Sequence, residues 1–212
     1  MTLAIDDLQD EHGVFLVKLA RTAIETFLGD HKRISAPENT PPLLKNEAGV
    51  FVTLNKLFNK TEELRGCIGY IFPIKPLVEG VIDVAIAAAT EDPRFPPVTL
   101  NEMNEIIVEV TVLTPPKKLE VNSPAEYLEK IKIGRDGLLL RYGSISGTLL
   151  PQVPVEYNWD AREFLNNLCL KAGLPFKCWE NPDIEIYSYQ GIIWKEKNPR
   201  GEVIRVELTK HV

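Results

Sequence analysis

The stretch Leu64-Arg65-Gly66-Cys67-Ile68-Gly69-Tyr70 constrains this chain more than any other. It stands where a buried strand belongs, yet it carries a thiol, a guanidinium and two glycines. Side chains along a strand alternate faces. Arg65, Cys67, Gly69 and Ile71 therefore share one face, and Leu64, Gly66, Ile68, Tyr70 and Phe72 the other. Gly69 has no side chain, which predicts open space beside the sulfur, and a strand glycine marks a bulge or a close approach. Arg65 lowers the thiol pKa if the two side chains converge. Those features describe a working site. The plainer reading makes Cys67 a small buried hydrophobe and Arg65 a cap at the strand end on the surface. Spacing alone favours the plainer reading.

The elements around this stretch are legible from periodicity. Leu8, Phe15, Leu19, Ala23, Ile24 and Phe27 fall at helical spacing between Asp6 and Leu28, with Gly29 as a stop. His12 sits in the first turns of that helix, without a chemical partner in sequence. Residues 49–57 read as a strand rich in β-branched and aromatic side chains. A polar loop, Asn59 to Glu63, leads into a second strand at 65–72, and the two predict an antiparallel hairpin. Pro76 opens a helix whose broad apolar stripe runs from Leu77 to Ala89 and ends at Asp92-Pro93. Its alanines permit close packing on a sheet. Asp92-Pro93-Arg94-Phe95-Pro96-Pro97 is a rigid charged connection, and Thr99 to Glu102 is a capping box. In strand 105–114, Ile106, Val108, Val110 and Val112 form a core face, which leaves Glu109 facing solvent or a partly wet cleft.

Pro115-Pro116 marks a boundary, beyond which the elements shorten. A short helix opens at Ser123-Pro124, and strands follow at 138–142 and 148–150. Pro151-Gln152-Val153-Pro154 stops the second of these. A helix over 160–172 buries Phe164, Leu165, Leu168 and Cys169, so Cys169 reads as inert packing. A closing hairpin joins 184–194 to 203–208 across Asn198 to Gly201, with Arg205, Glu207 and Thr209 on its wet side.

Composition narrows the class. The chain has 212 residues, 44% of them apolar, enough for one sizeable folded domain or a domain with a small companion. Its net charge of −6 disfavours nucleic acid, whose binding draws on a basic surface. The apolar run 81–89 is far too short to span a bilayer, and the first residues lack the pattern of an export signal. A cytoplasmic location is expected, and a disulfide framework is not, given three widely spaced cysteines, Cys67, Cys169 and Cys178. No metal-ligand spacing and no phosphate-loop glycine pattern is present. No cofactor is assigned.

With these blocks in place, the chain resembles the AMMECR domain family, named for the Alport syndrome, midface hypoplasia and elliptocytosis chromosomal region protein. The resemblance rests on Leu-Arg-Gly-Cys-Ile-Gly at 64–69, on Asp92 to Pro97, on Glu109 to Pro116, on Gly147 to Val153, and on Trp159 with Phe164 to Pro175. It covers essentially the whole length, in single-domain prokaryotic form. It implies an α+β fold with a larger, discontinuous subdomain (1–116 and 184–212) carrying an antiparallel sheet flanked by helices. A smaller α+β subdomain (117–183) is inserted, and the signature faces a cleft between the two. Leu64, Arg65, Gly66, Cys67, Ile68, Gly69, Arg94 and Gln152 are the implied cleft residues. Family association further suggests a Memo-like protein and a radical S-adenosylmethionine protein as partners.

Two functions then compete. In the first, the site binds a ligand or protein partner, with Arg65 and Arg94 clamping an anion bidentately. In the second, Cys67 is a nucleophile or redox thiol. That reading needs a base, and the histidines (His12, His31 and His211) lie outside every motif, which leaves Glu91, Asp92, Glu109 or Glu156.

Overall fold

The structure is a computed structural model that describes residues 1–208. It divides into two compact units. Unit 1 comprises Met1–Pro115 and Ile192–Val206, and unit 2 comprises Pro116–Gly191 with Glu207 and Leu208. Thr209 lies outside the described residues.

Unit 1 is a helix-backed antiparallel sheet. Helix α1 spans Asp10–Asp30, two residues beyond the end that Gly29 suggested, and closes on His31 in the left-handed conformation. Its first turn explains His12, whose Nδ1 accepts the Gln9 N–H at 3.0 Å, so this imidazole caps a helix. Strands β1 (Gly49–Phe58) and β2 (Thr61–Tyr70) form a hairpin. The connection is tighter than the polar run predicted. Asn59 and Lys60 both take positive φ, 48° and 69°, as a two-residue turn matched to the twist of the strands requires. Helix α2 (Leu77–Thr90) follows, and then β3 (Ile106–Leu113). Unit 1 ends on the second half of β7 (Glu185–Glu196) and on β8 (Val203–Val206).

The strand order in unit 1 is β2-β1-β3-β7, with β8 also paired to β7, so β2 is an edge. One face of this sheet, including Val50, Val52, Leu54, Val108 and Val110, packs with α1 and α2 into a single apolar core. The alanine stripe of α2 allows that approach, and Gly66 completes it. A Cβ at Gly66 would stand 2.1 Å from the Ala88 carbonyl oxygen, so only glycine lets β2 lie directly against the helix backbone.

A buried ion pair ties α1 to the sheet. Arg21 donates from Nε and Nη2 to the two Glu196 carboxylate oxygens, both at 2.6 Å, and also to the Met103 and Ile106 carbonyls. Glu196 in turn accepts the Val108 N–H at 3.0 Å. Every polar atom of this pair finds a partner, which burial of charge demands.

Unit 2 is smaller. It contains β4 (Lys117–Lys118), α3 (Ala125–Lys130), β5 (Asp136–Tyr142), β6 (Ile145–Leu149), α4 (Val153–Glu156), α5 (Ala161–Lys171) and the first half of β7. The order is β6-β5-β7, with β4 also paired to β7. Asp160 caps α5, accepting the Glu163 N–H while the Glu163 carboxylate accepts the Asp160 N–H. The buried face of α5 joins Leu138, Leu140 and Ile186 in a second apolar core.

Here the structure corrects the sequence reading of the cysteines. Cys169 is not inert packing: it forms a disulfide with Cys178, nine residues on, with a Cα–Cα distance of 5.8 Å. The chain reverses after α5 through Gly173 and Lys177, which have φ of 74° and 62°, and this return brings Cys178 back to the helix. Sequence separation gave no hint of it, because the pairing depends on a reversal that only the folded backbone shows.

Candidate functional site

The candidate site is built on β2 of unit 1. Pairing with β1 runs Phe51↔Gly69, Thr53↔Cys67 and Leu54↔Gly66, then jumps to Asn55↔Leu64. Arg65 is the extra residue of a β-bulge, and a bulge re-aims its side chain. Strict alternation, which placed Arg65 beside Cys67, therefore fails at this residue. The guanidinium turns away from the sulfur and meets Glu102, with Nε 3.1 Å from Oε1, and the Pro96 carbonyl, 2.9 Å from Nη1. Its side chain is 12% exposed, so Arg65 is no surface cap either.

The loop after α2 closes over the edge of β2. The Asp92 carboxylate accepts the Cys67 N–H at 2.8 Å, the Arg94 N–H at 3.1 Å, and the Arg94 Nε and Nη2 donors at 2.9 and 2.6 Å. Arg94 Nη2 also reaches the Cys67 carbonyl at 3.5 Å. Asp92 and Arg94 thus take the place that a neighbouring strand would hold at this edge. Between the two arginines lies the Phe95 ring, with the Arg65 and Arg94 guanidinium carbons 5.9 and 5.4 Å from its centroid. Glu102 is fixed from its other side by the Thr99 N–H at 2.8 Å. The expected free anion clamp is absent: each arginine is already paired with a carboxylate of its own chain.

The charges follow from these contacts. The guanidinium of Arg94, with the two backbone N–H donors, holds the Asp92 carboxyl well below the usual carboxylate range. Glu102 is lowered too: its burial opposes ionisation, but the Thr99 and Arg65 hydrogen bonds outweigh it. Cys67 moves the other way. Burial pushes its thiol above the ordinary value, the Glu109 and Asp92 carboxylates add to the rise, and the Thr53 hydroxyl and Arg94 only partly offset it. Thr53 Oγ1 lies 3.3 Å from Sγ and donates to it.

Cys67, Thr53 and Glu109 form one row across β2, β1 and β3. Glu109 is buried, which corrects the solvent-facing reading. It lies two strands from Cys67, about 10 Å in backbone terms, with Thr53 between. The neighbouring row is Gly69, Phe51 and Thr111. The open space expected over Gly69 is filled. A Cβ there would lie 2.2 Å from Phe51 Cγ, so the Phe51 ring covers the bare glycine backbone. Ile68 packs into the core from the opposite face, while Leu64 is exposed. Gln152 belongs to unit 2, where it is buried at the start of α4. Phe51, Thr53 and Glu102 complete the site: the first two were not singled out from sequence, and Glu102 was read there only as part of a capping box. The strand pattern carried a signal for the first two, which lie opposite Gly69 and Cys67 in any hairpin of this register.

Among the described residues, no group of three or more His, Cys, Asp or Glu side chains is placed to hold a metal ion. No helix among them is long and apolar enough to cross a membrane.

Comparison with known proteins agrees with this fold. The chain is 53% identical over 198 residues to protein MJ0810 of Methanocaldococcus jannaschii, covering 93% of this chain and 96% of that one. It is 54% identical over 203 residues to protein MK0488 of Methanopyrus kandleri, covering 94% and 96%. The crystal structure of protein PH0010 from Pyrococcus horikoshii superposes with a TM-score of 0.91 at 52% identity, over 95% of this chain and 99% of that one. None of these names states an activity. The AMMECR1 family model matches residues 17–194, which include the whole β2 motif and the loop that closes on it, and the chain belongs to the AMMECR1 family.

Proposed function

We propose that this protein acts by binding a partner, that the contact surface is the part of unit 1 built on β2 and the 92–102 segment, and that Cys67 takes part as a neutral thiol. The observation that carries this reading is the saturation of Asp92. Its carboxylate accepts from the Cys67 N–H and three times from Arg94, so the acid bonded to the Cys67 backbone is committed to holding the loop. A nucleophilic cysteine needs a base and a lowered pKa. Here burial raises the thiol, and the Glu109 carboxylate in the same row raises it further. His12 caps the first turn of α1 with its imidazole, and His31 stands at the other end of that helix. What remains is a preformed surface, cross-braced by Arg65, Phe95 and Arg94, and rigidity of that kind lowers the entropy cost of association.

Family association makes a Memo-like protein the first partner to try, and a radical S-adenosylmethionine protein the second. The test is capture of the purified Memo-like protein by this chain and by two variants. Cys67→Ser keeps a small polar group and leaves binding within about threefold. Arg65→Lys cannot span Glu102 and the Pro96 carbonyl together, and weakens binding about tenfold or more. Loss of binding with Cys67→Ser alone overturns the neutral-thiol reading.

A further inference from the structure

Unit 2 holds a cavity of about 340 Å³. One wall is formed by residues 118–124 with Tyr127, and the other by residues between Trp179 and Glu185. The second wall begins one residue after Cys178. It is tied to α5 at two places: the Trp179 Nε1 donor reaches Asn166 Oδ1 at 2.9 Å, and the disulfide joins Cys178 to Cys169.

The two sulfurs sit in unlike surroundings. Cys169 is fully buried in the apolar cluster with Phe164, Leu165 and Leu168. Cys178 is half-buried at its border. Thiol–disulfide exchange needs a thiolate to attack one sulfur while the other leaves as a thiolate. Burial shields Cys169 from attack. Attack on Cys178 expels Cys169 as an anion into hydrocarbon, where its pKa is raised and departure is slow. Both routes are therefore blocked while the α5 core is closed.

We propose that the Cys169–Cys178 disulfide is a gated lock on the 179–185 wall of this cavity: it resists thiol reductants while unit 2 is closed, and once reduced it leaves the wall loosened. The lock lies outside the β2 surface and does not depend on the binding function proposed there. The reductant is an external dithiol. Its first thiolate bonds to Cys178 Sγ as the Cys169 sulfur departs with the bonding pair and takes up a proton. Its second sulfur then displaces Cys178, giving two protein thiols and the oxidised, cyclic reductant. Segment 170–177, with its exposed Leu170 and Phe176, is then held by local contacts such as the Leu174 N–H to the Cys169 carbonyl.

The test uses the full chain purified without reductant. It is exposed to dithiothreitol for increasing times and alkylated, and peptides carrying Cys67, Cys169 and Cys178 are counted by mass. Hydrogen exchange over 174–185 is followed in parallel. The lock predicts reduction of the Cys169–Cys178 bond more than about 30-fold slower in the native protein than in the urea-unfolded chain, since access then needs local opening. It also predicts exchange over 174–185 faster on the order of 50-fold after reduction, from the lost loop constraint. Native reduction less than about 30-fold slower than unfolded overturns the gate. Unchanged exchange over 174–185 overturns the lock. Cys169 and Cys178 found as free thiols that an oxidised dithiol fails to join overturn both.

Discussion

A cross-link braces each unit, and the two differ in kind. In unit 1 the link is ionic: Arg21 and Glu196 meet below the surface and brace α1 against β3 and β7. In unit 2 it is covalent, between Cys169 and Cys178. The larger unit buries two helices against its sheet and has the hydrocarbon to shelter a fully hydrogen-bonded ion pair. The smaller unit has a thinner core, and small cores are where covalent staples add most. A bidentate guanidinium–carboxylate pair fixes geometry but is lost when either partner is removed. A disulfide acts largely by limiting the unfolded chain and responds to reductant instead. The same contrast separates the cysteines: Cys67, in the motif that looks chemical, stays a free thiol that accepts a threonine hydroxyl hydrogen bond, and Cys169, in the stripe that looks inert, makes the bond.

Four substitutions sharpen or break this contrast. Arg21→Ala leaves Glu196 buried without its partner and is expected to destabilise by about 4 kcal/mol, read from the denaturant midpoint. A loss under about 1 kcal/mol contradicts an ionic brace. Cys169→Ala is expected to cost about 3 kcal/mol, with hydrogen-exchange protection falling in α5 and β5 while α2 and β1 keep theirs. Equal loss in both units removes the distinction drawn here. Gly66→Ala drives a methyl into the Ala88 carbonyl and is expected to cost about 3 kcal/mol or slightly less, with β2 protection lost first.

Asp92→Asn removes the charge that pairs with Arg94 and is expected to cost about 2 kcal/mol at neutral pH. The pH dependence has a definite sign. Folding lowers the Asp92 and Glu102 pKa values, so their stabilisation is complete above the unfolded carboxylate values near 4 and fades as pH falls below them. The gap between wild type and Asp92→Asn should therefore narrow on acidification below about pH 4. A gap that stays constant to pH 2 contradicts the charge-based account of the loop.

Much of this fold was legible in the sequence, and the limits are physical. The stripe on α2, the alternation in β3, the Thr99–Glu102 box and the closing β7–β8 hairpin are local patterns, and local patterns are written in adjacent residues. The bulge at Arg65 was not, because alternation assumes a regular strand and one inserted residue re-aims the side chain. The ring over Gly69 was missed because Phe51 belongs to the neighbouring strand. Arg65 and Arg94 looked free because their carboxylates arrive from elsewhere in the chain or, for Asp92, through a turn that folds the loop back on itself. The motif was found by its composition, while its role as a joint between strand and loop depends on contacts made at a distance.

The measurement that bears most directly on the β2 surface is the rate of Cys67 alkylation by a maleimide as pH is raised, with the product located by mass. A neutral, half-buried thiol predicts slow modification at pH 7 and a midpoint above the ordinary thiol value near 8.5. A midpoint below 8.5, with fast reaction at neutral pH, would mean that Cys67 is an activated thiolate and that this surface performs chemistry.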